Sequence, residues 1–418
     1  MTGHDLEPAF LRRFEALAAI GRDPATGGLN RLAWTRADAE AGAWFDGEAA
    51  RLGLAAEVDR NGNRWAWWWP AGTRAASDRP DGTAVAVGSH LDSVPDGGSY
   101  DGALGVVTAF TAVESLQAAG FAPSRPLAVT AWADEEGARF GTPCFGSGLS
   151  TGTLALTDVA ERRDEDGIRL ADAIADWGID PAAMGVDPER LDELAAFVEL
   201  HIEQGRGLVH DGGPVGIGTG IAPHGRWRYE LRGQTNHAGT TALADRRDPM
   251  LVAATLVDAA RAEAERHGGV ATVGRVTAHP GATNAVPGQV HAWLDARAPD
   301  AATLEALVSA VAQRVDGAAT EAGVACRAVQ ESAAAPVTFD PALRERIEAV
   351  LTAEGWRAPP LLTAAGHDAG ALASRLPTAM LYVRNRSGIS HSPAEHADDA
   401  DCLAGVRALA AVLRDLLA

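Results

Sequence analysis

Four stretches of this chain repeat one design, a short apolar run rich in β-forming residues that ends in polar ones. They read TAVAVGSHLD (83–92), RPLAVTAWADEE (125–136), AAFVELHIEQG (195–205) and LPTAMLYVRNRSGISH (376–391). Runs this apolar belong to strands buried on both faces, and helical stretches of small and apolar residues, such as 103–119, lie between several of them. That alternation predicts an α/β fold with a mostly parallel sheet. Ligands of such sheets gather at the carboxyl ends of the strands. The chemically interesting residues of all four stretches fall at those ends.

From about Arg226 the texture changes. A strand in RWRYELRG, a helix over 250–267, strands near 270–277 and 290–297, and a helix over 301–319 follow one another. This order predicts an α+β two-layer sandwich inserted into the larger domain, with 221–333 as the insert and 1–220 plus 334–418 as the parent. The tryptophan-rich NRWAWWWPAG (63–72) is expected to be a strand packed in the core or at an interface.

Composition narrows the function. With 418 residues, 46% apolar and 22% charged, the chain can bury a large core. Its net charge of −20 repels phosphate backbones and anionic headgroups, so neither nucleic acid nor a membrane is an expected partner. The opening MTGHDLEPAFLRRFEALAAIG has no apolar leader core, and no run of about 18 apolar residues follows, so a cytoplasmic protein is expected. Cys144, Cys326 and Cys402 are odd in number and widely spread, which argues against a disulfide framework and against a paired-cysteine zinc site. Any metal site here must therefore use histidine and carboxylate.

The segment GSHLDSVPDGGSYDG (88–102) places one histidine, three aspartates and four glycines directly after the first apolar run. A binuclear site needs imidazoles, carboxylates and one carboxylate able to bridge two cations roughly 3.5–4 Å apart. His90 is followed two positions later by Asp92, which could hold the ring in one tautomer. Asp101 opens a helix after a glycine-rich turn, where backbone amides would orient its carboxylate. Glu135 and Glu136 end the second run, and an adjacent pair allows one to bind metal while the other takes a proton from water. His201 and His391 complete the constellation. The glycine-rich GIGTGIAPHG (216–225) has the wrong spacing for dinucleotide binding.

In combination these motifs resemble the binuclear zinc aminoacylase and carboxypeptidase superfamily, and within it the hydantoinase/carbamoylase branch. That branch holds N-carbamoyl-L-amino acid hydrolases, allantoate amidohydrolases and β-ureidopropionases. The resemblance runs from IGRDPATGG and DRNGN to GISHSPAEH. It implies that His90, Asp101 and His201 hold one metal and that Asp101, Glu136 and His391 hold the other, with Asp101 bridging. It further implies Glu135 as general base, with Asp92 behind His90. The metals would be zinc or manganese, with cobalt or nickel also accommodated by such donors. The peptidase branch typically carries a carboxylate where this chain has His201, so HIEQG points to the carbamoylases.

In the inserted domain the resemblance marks His237 of NHAGTT as the oxyanion donor, often supplied across a dimer. Asn284 of TNAVPG and Arg297 of LDAR would grip a substrate carboxylate, for which a planar guanidinium is suited. Gln204, and Gly366 and His367 of GHDAG, are marked as further substrate contacts. The insert is thus expected to act as a lid and to form a homodimer. Two departures bear on substrate identity: HAGTTAL stands where relatives commonly read HAGTTPM, and APHG (222–225) replaces a glutamine-containing turn. The expected reaction is metal-assisted hydrolysis of the ureido or amide C–N bond of a small acid, allantoate or an N-carbamoyl-L-amino acid, releasing ammonia. N-formyl or N-acyl amino acids, a dipeptidase or aminoacylase, and a silent binding protein on this fold are the rival readings. His201 argues against the dipeptidase and aminoacylase, and the retained Glu135 against the silent protein.

Overall fold

The β-forming runs become strands, with His90 and His201 still inside the ends of theirs and residues 134–136 and 390–391 in loops beyond theirs. A computed structural model describes residues 3–72 and 82–418, so the first two residues of the opening segment lie outside it. The strands are, in chain order, β1 (Ala55–Val58), β2 (Arg64–Trp68), β3 (Ala84–His90), β4 (Leu127–Trp132), β5 (Leu194–Ile202), β6 (Val215–Ile221), β7 (His224–Arg232), β8 (Asn236–His237), β9 (Val270–His279), β10 (Ala285–Val286), β11 (Gln289–Arg297), β12 (Ala325–Ala334), β13 (Val337–Thr338), β14 (Pro360–Thr363) and β15 (Thr378–Val383). Two compact units result, residues 1–219 with 338–418, and residues 220–337.

The first unit is organised by a sheet in the order β1-β2-β4-β3-β5-β15-β6-β13, with β14 on β6. Its centre, β4-β3-β5-β15, is parallel, and these four strands are the four repeated runs of the sequence. Antiparallel strands β2 and β6 flank that centre. Every residue of β3, β4 and β15 is buried, as expected of strands covered on both faces. The helix Ala103–Ala118 buries twelve of its sixteen residues, so it lies inside the unit instead of on its surface. It packs against β3, β5 and the helix Asp399–Leu416. In β2, Trp65 and Trp67 are fully buried, with Trp65 edge-on to Trp132.

The second unit is an antiparallel sheet in the order β12-β7-β11-β9, backed by the helices Pro249–His267 and Ala301–Ala322. Along β11 burial alternates residue by residue, which puts Val290, Ala292, Leu294 and Ala296 against the helices and leaves the other face polar. Among the described residues no helix is long and apolar enough to cross a membrane.

Candidate metal centre

Because β3, β4 and β5 run parallel side by side, their carboxyl ends bring His90, the Asp134–Glu136 turn and His201 to one edge. His90 and His201 are each 1% exposed. The His90 Nδ1 lies 3.1 Å from the carbonyl oxygen of Asp92, and the His201 Nδ1 lies 2.9 Å from that of Ile202. A carbonyl only accepts, so in both rings Nδ1 carries a proton, and Nε2 is the atom turned toward the site. Both Nε2 atoms face one carboxylate oxygen, Asp101 Oδ1, at 3.5 and 3.1 Å. Acceptors facing acceptors require a proton or a cation between them.

The other oxygen of Asp101 serves a second group. Its Oδ2 lies 3.2 Å from His391 Nε2, which in turn lies 3.5 Å from Glu136 Oε2. The structure therefore contains two donor groups, His90–Asp101–His201 and Asp101–Glu136–His391, with Asp101 in both. The buried Oε1 of Glu136 finds no hydrogen-bond partner among the described residues. Nitrogen and oxygen donors of this kind, with one carboxylate common to two sets, fit a pair of divalent cations. A third group, Glu199–His201–His367, also converges. There, Glu199 is already held by the Ser89 hydroxyl at 2.7 Å and the Ala369 N–H at 2.9 Å, so it acts as a buried support.

Glycine makes the first group possible. Gly102 has φ of +62°, and a side-chain carbon there would sit 2.4 Å from the His90 ring. The helix Ala103–Ala118 begins immediately after it. The carboxylate of Asp101 is not oriented by backbone amides as expected from sequence. The imidazoles and the Gln204 amide, whose Nε2 donates to Oδ2 at 3.0 Å, hold it instead. The Asp101 N–H itself donates to Glu395. Asp92 also works differently from the simple picture. Its carbonyl is the nearer partner of His90, because its carboxylate accepts the Glu135 and Glu136 N–H groups at 3.1 and 3.0 Å. Asp92 thus ties the histidine strand to the glutamate turn.

Electrostatics follow from crowding acids in a dry place. Burial, reinforced by Asp368, Glu136 and Asp92, pushes Glu135 well above the usual carboxylate range. Burial and Asp101 push Glu136 up to about 7. Against burial, hydrogen bonds to His201, His391 and His90 hold Asp101 well below its usual value. The hydrogen bond to Asp101 pushes His391 up to about 9. His367, 3% exposed, is held well below its usual value by burial and His201, and its Nε2 finds no hydrogen-bond partner among the described residues. Glu135 has one oxygen 3.7 Å from His90 Nε2 and accepts the Cys144 thiol on the other at 3.4 Å.

The remaining residues singled out from sequence are placed as follows. Gly366 is exposed, while His367 lies 4.5 Å from the His201 ring, centroid to centroid. His237, Asn284 and Arg297 belong to the second unit. His237 Nδ1 accepts the Gly239 and Thr240 N–H groups at 3.0 and 3.1 Å, which leaves Nε2–H as a donor. The Ala238 N–H donates to the Asn284 carbonyl at 2.9 Å, so Asn284, just before β10, lies beside the end of β8 that carries His237. Arg297 pairs with Asp295 at 2.9 Å. Sequence reasoning missed Glu395, Ser390, Glu199, Asp368 and Arg31.

Comparison with known proteins adds the following. Residues 86–415 match the model of peptidase family M20/M25/M40. An N-carbamoyl-L-amino acid amidohydrolase of Geobacillus stearothermophilus is 36% identical, the alignment covering 95% of each chain. An allantoate amidohydrolase of Bacillus subtilis is 32% identical over 96% of each. The crystal structure of a hydantoinase/carbamoylase family amidase from Burkholderia multivorans is similar with a TM-score of 0.85 at 31% identity, covering 98% of both chains.

Proposed function

Because this chain belongs to peptidase family M20/M25/M40, in its hydantoinase/carbamoylase branch, we propose that it hydrolyses the C–N bond of a small ureido acid, an N-carbamoyl-L-amino acid or allantoate, with release of ammonia. It is a hydrolase of non-peptide C–N bonds, and its donor groups suit divalent cations. The observation that carries the reading is Asp101, one carboxylate whose two oxygens face two different donor groups beside an uncommitted buried Glu135.

Two cations, zinc or manganese and alternatively cobalt or nickel, would be held by His90, Asp101 and His201 and by Asp101, Glu136 and His391. They would supply Lewis-acid polarisation of the scissile carbonyl and acidify water at the site. Glu135 takes the proton of the attacking water and returns it to the leaving nitrogen, a task suited to a carboxyl raised by burial. Asp92 keeps the Glu135–Glu136 turn in register with His90. His237 offers its Nε2–H to the developing oxyanion. Arg297 and Asn284 bind the substrate carboxylate. Gln204, His367 and the exposed Gly366 contact the rest, which accounts for the partnerless buried atoms His367 Nε2 and Gln204 Oε1.

A homodimer through the second unit is part of this reading. Support comes from the edge strand β9, with Val270 and Val276 exposed, and from Leu251 and Val257, exposed on the helix Pro249–His267. The three free cysteines are in keeping with a reducing, cytoplasmic setting. The test is ammonia and formate release from allantoate, a panel of N-carbamoyl-L-amino acids and N-formylglutamate, after reloading with zinc, manganese or cobalt. Turnover of a ureido acid is expected; formate release from N-formylglutamate with no ammonia from any ureido acid would overturn the reading.

A further inference from the structure

Glu395 is 4% exposed, pairs with no arginine or histidine among the described residues, and makes three side-chain hydrogen bonds that all lead to the donor groups. Its Oε2 accepts the backbone N–H of Tyr100 and of Asp101, each at 3.0 Å. Its Oε1 accepts the Ser390 hydroxyl at 2.8 Å, and Ser390 precedes His391. The Ser390 oxygen in turn accepts the Gln204 amide at 3.1 Å, and that amide also donates to Asp101 Oδ2. One carboxylate thus ties the main chain of the shared aspartate to the loop that carries His391, across 294 positions of sequence. The segment before Asp101 is shaped to admit it, since a side-chain carbon on Gly98 would lie 2.1 Å from Glu395 Oε2.

We propose that Glu395 is a positioning residue that holds Asp101 and His391 in mutual register, so that the second donor group is formed before a cation arrives. His391 needs such a tie. It sits in a loop at φ of 55°, with half of its side chain exposed, whereas His90 and His201 are fixed by strands. Residues behind metal ligands typically change affinity by 10–100-fold when removed. The inference rests on the reading that the two groups hold cations.

The experiment is cation titration of Glu395→Ala, Glu395→Gln and Gly98→Ala by chelator competition with Mn²⁺ and Co²⁺, with thermal unfolding of each cation-free protein. Glu395→Ala should weaken one of the two cations at least tenfold. Glu395→Gln, whose carbonyl still accepts the two N–H groups and whose amide can donate to Ser390, should recover most of that loss. Gly98→Ala, which changes no polar group, should reproduce the alanine phenotype by displacing the carboxylate, and keeps the test available if Glu395→Ala does not fold. Unchanged affinity in the folded alanine variant or in Gly98→Ala overturns the inference, as does a glutamine variant as weak as alanine. A wild-type protein that binds no divalent cation would instead overturn the reading of the site.

Discussion

The two donor groups share Asp101 but are built differently. In one, His90 and His201 stand at the ends of parallel strands, 1% exposed, each with its Nδ1 locked on a main-chain carbonyl. In the other, His391 comes from a loop with its side chain 49% exposed, and Glu136 from a tight turn. The first group is preorganised by the sheet, so its cost is already met by folding. The second depends on loop-to-loop hydrogen bonds. A cation held there is expected to exchange first, and limiting chelator should take the proposed pair to a single cation before removing both.

The largest effect expected concerns the residue that belongs to neither group. Glu135→Gln keeps the shape but cannot carry a proton, so kcat should fall by roughly 10²–10⁴ while both cations stay. Elemental analysis that found one cation missing would make Glu135 a ligand and dissolve the contrast.

Next come the two histidines. His391→Ala should release one cation and leave the fold intact, since the side chain is half exposed. His201→Ala should release the other and also lower the stability of the cation-free protein, by about 1–3 kcal/mol, because buried Asp101 loses a partner. Equal destabilisation by both substitutions would show that exposure does not separate the groups.

This asymmetry also explains what the sequence revealed. The two histidines of the rigid group are legible because each ends an apolar run, and in a parallel sheet strand ends converge whatever their separation in sequence. His90, His201 and the Glu135–Glu136 pair were found by that rule and His391 by its place after the fourth run, whereas the division of the two glutamates into proposed ligand and base came from the family resemblance. The supports were hidden, because they act on the main chain. Glu395 reaches the N–H groups of Tyr100 and Asp101, and Arg31 reaches the carbonyl of Leu91; Asp92 was placed behind His90 from the sequence, but its hold on the N–H groups of the glutamate turn was not. Main-chain groups exist at every position, so a residue that binds them leaves no pattern. The two-layer insert was readable from its change of period, as in the alternating burial of β11.

A smaller effect is expected from pH. In the cation-free protein His391 is pushed up to about 9 and Glu136 up to about 7, both above their ordinary values of 6.5 and 4.5. Raised values mean that the folded cation-free chain holds extra protons. The stability His391 contributes is therefore full below about pH 6.5 and is lost as pH rises through about 9. A cation must displace the same proton, so its affinity at the second group should climb by up to about tenfold per pH unit between roughly 7 and 9 and then level. Calorimetry in buffers of different ionisation enthalpy measures the protons released. A flat profile would mean that Asp101 does not bond His391 in solution.

The smallest effect tests whether preorganisation reaches the base. Glu135 has one oxygen toward His90, on the rigid side, and the other toward Cys144. Cys144 has φ of 50°, and its N–H donates to the Glu135 carbonyl at 2.6 Å, which aims the thiol back at the carboxylate. Burial keeps that thiol protonated by pushing it well above its usual range, so it stays a donor. A thiol is a weak donor, worth about 0.5–1 kcal/mol here, so Cys144→Ala should lower kcat only about two- to fivefold, with KM and cation content unchanged. Cys144→Ser restores a stronger donor and should recover the rate. Wild-type kcat in the alanine variant would mean that His90 alone orients the base, and that the rigid group extends one residue further than its ligands.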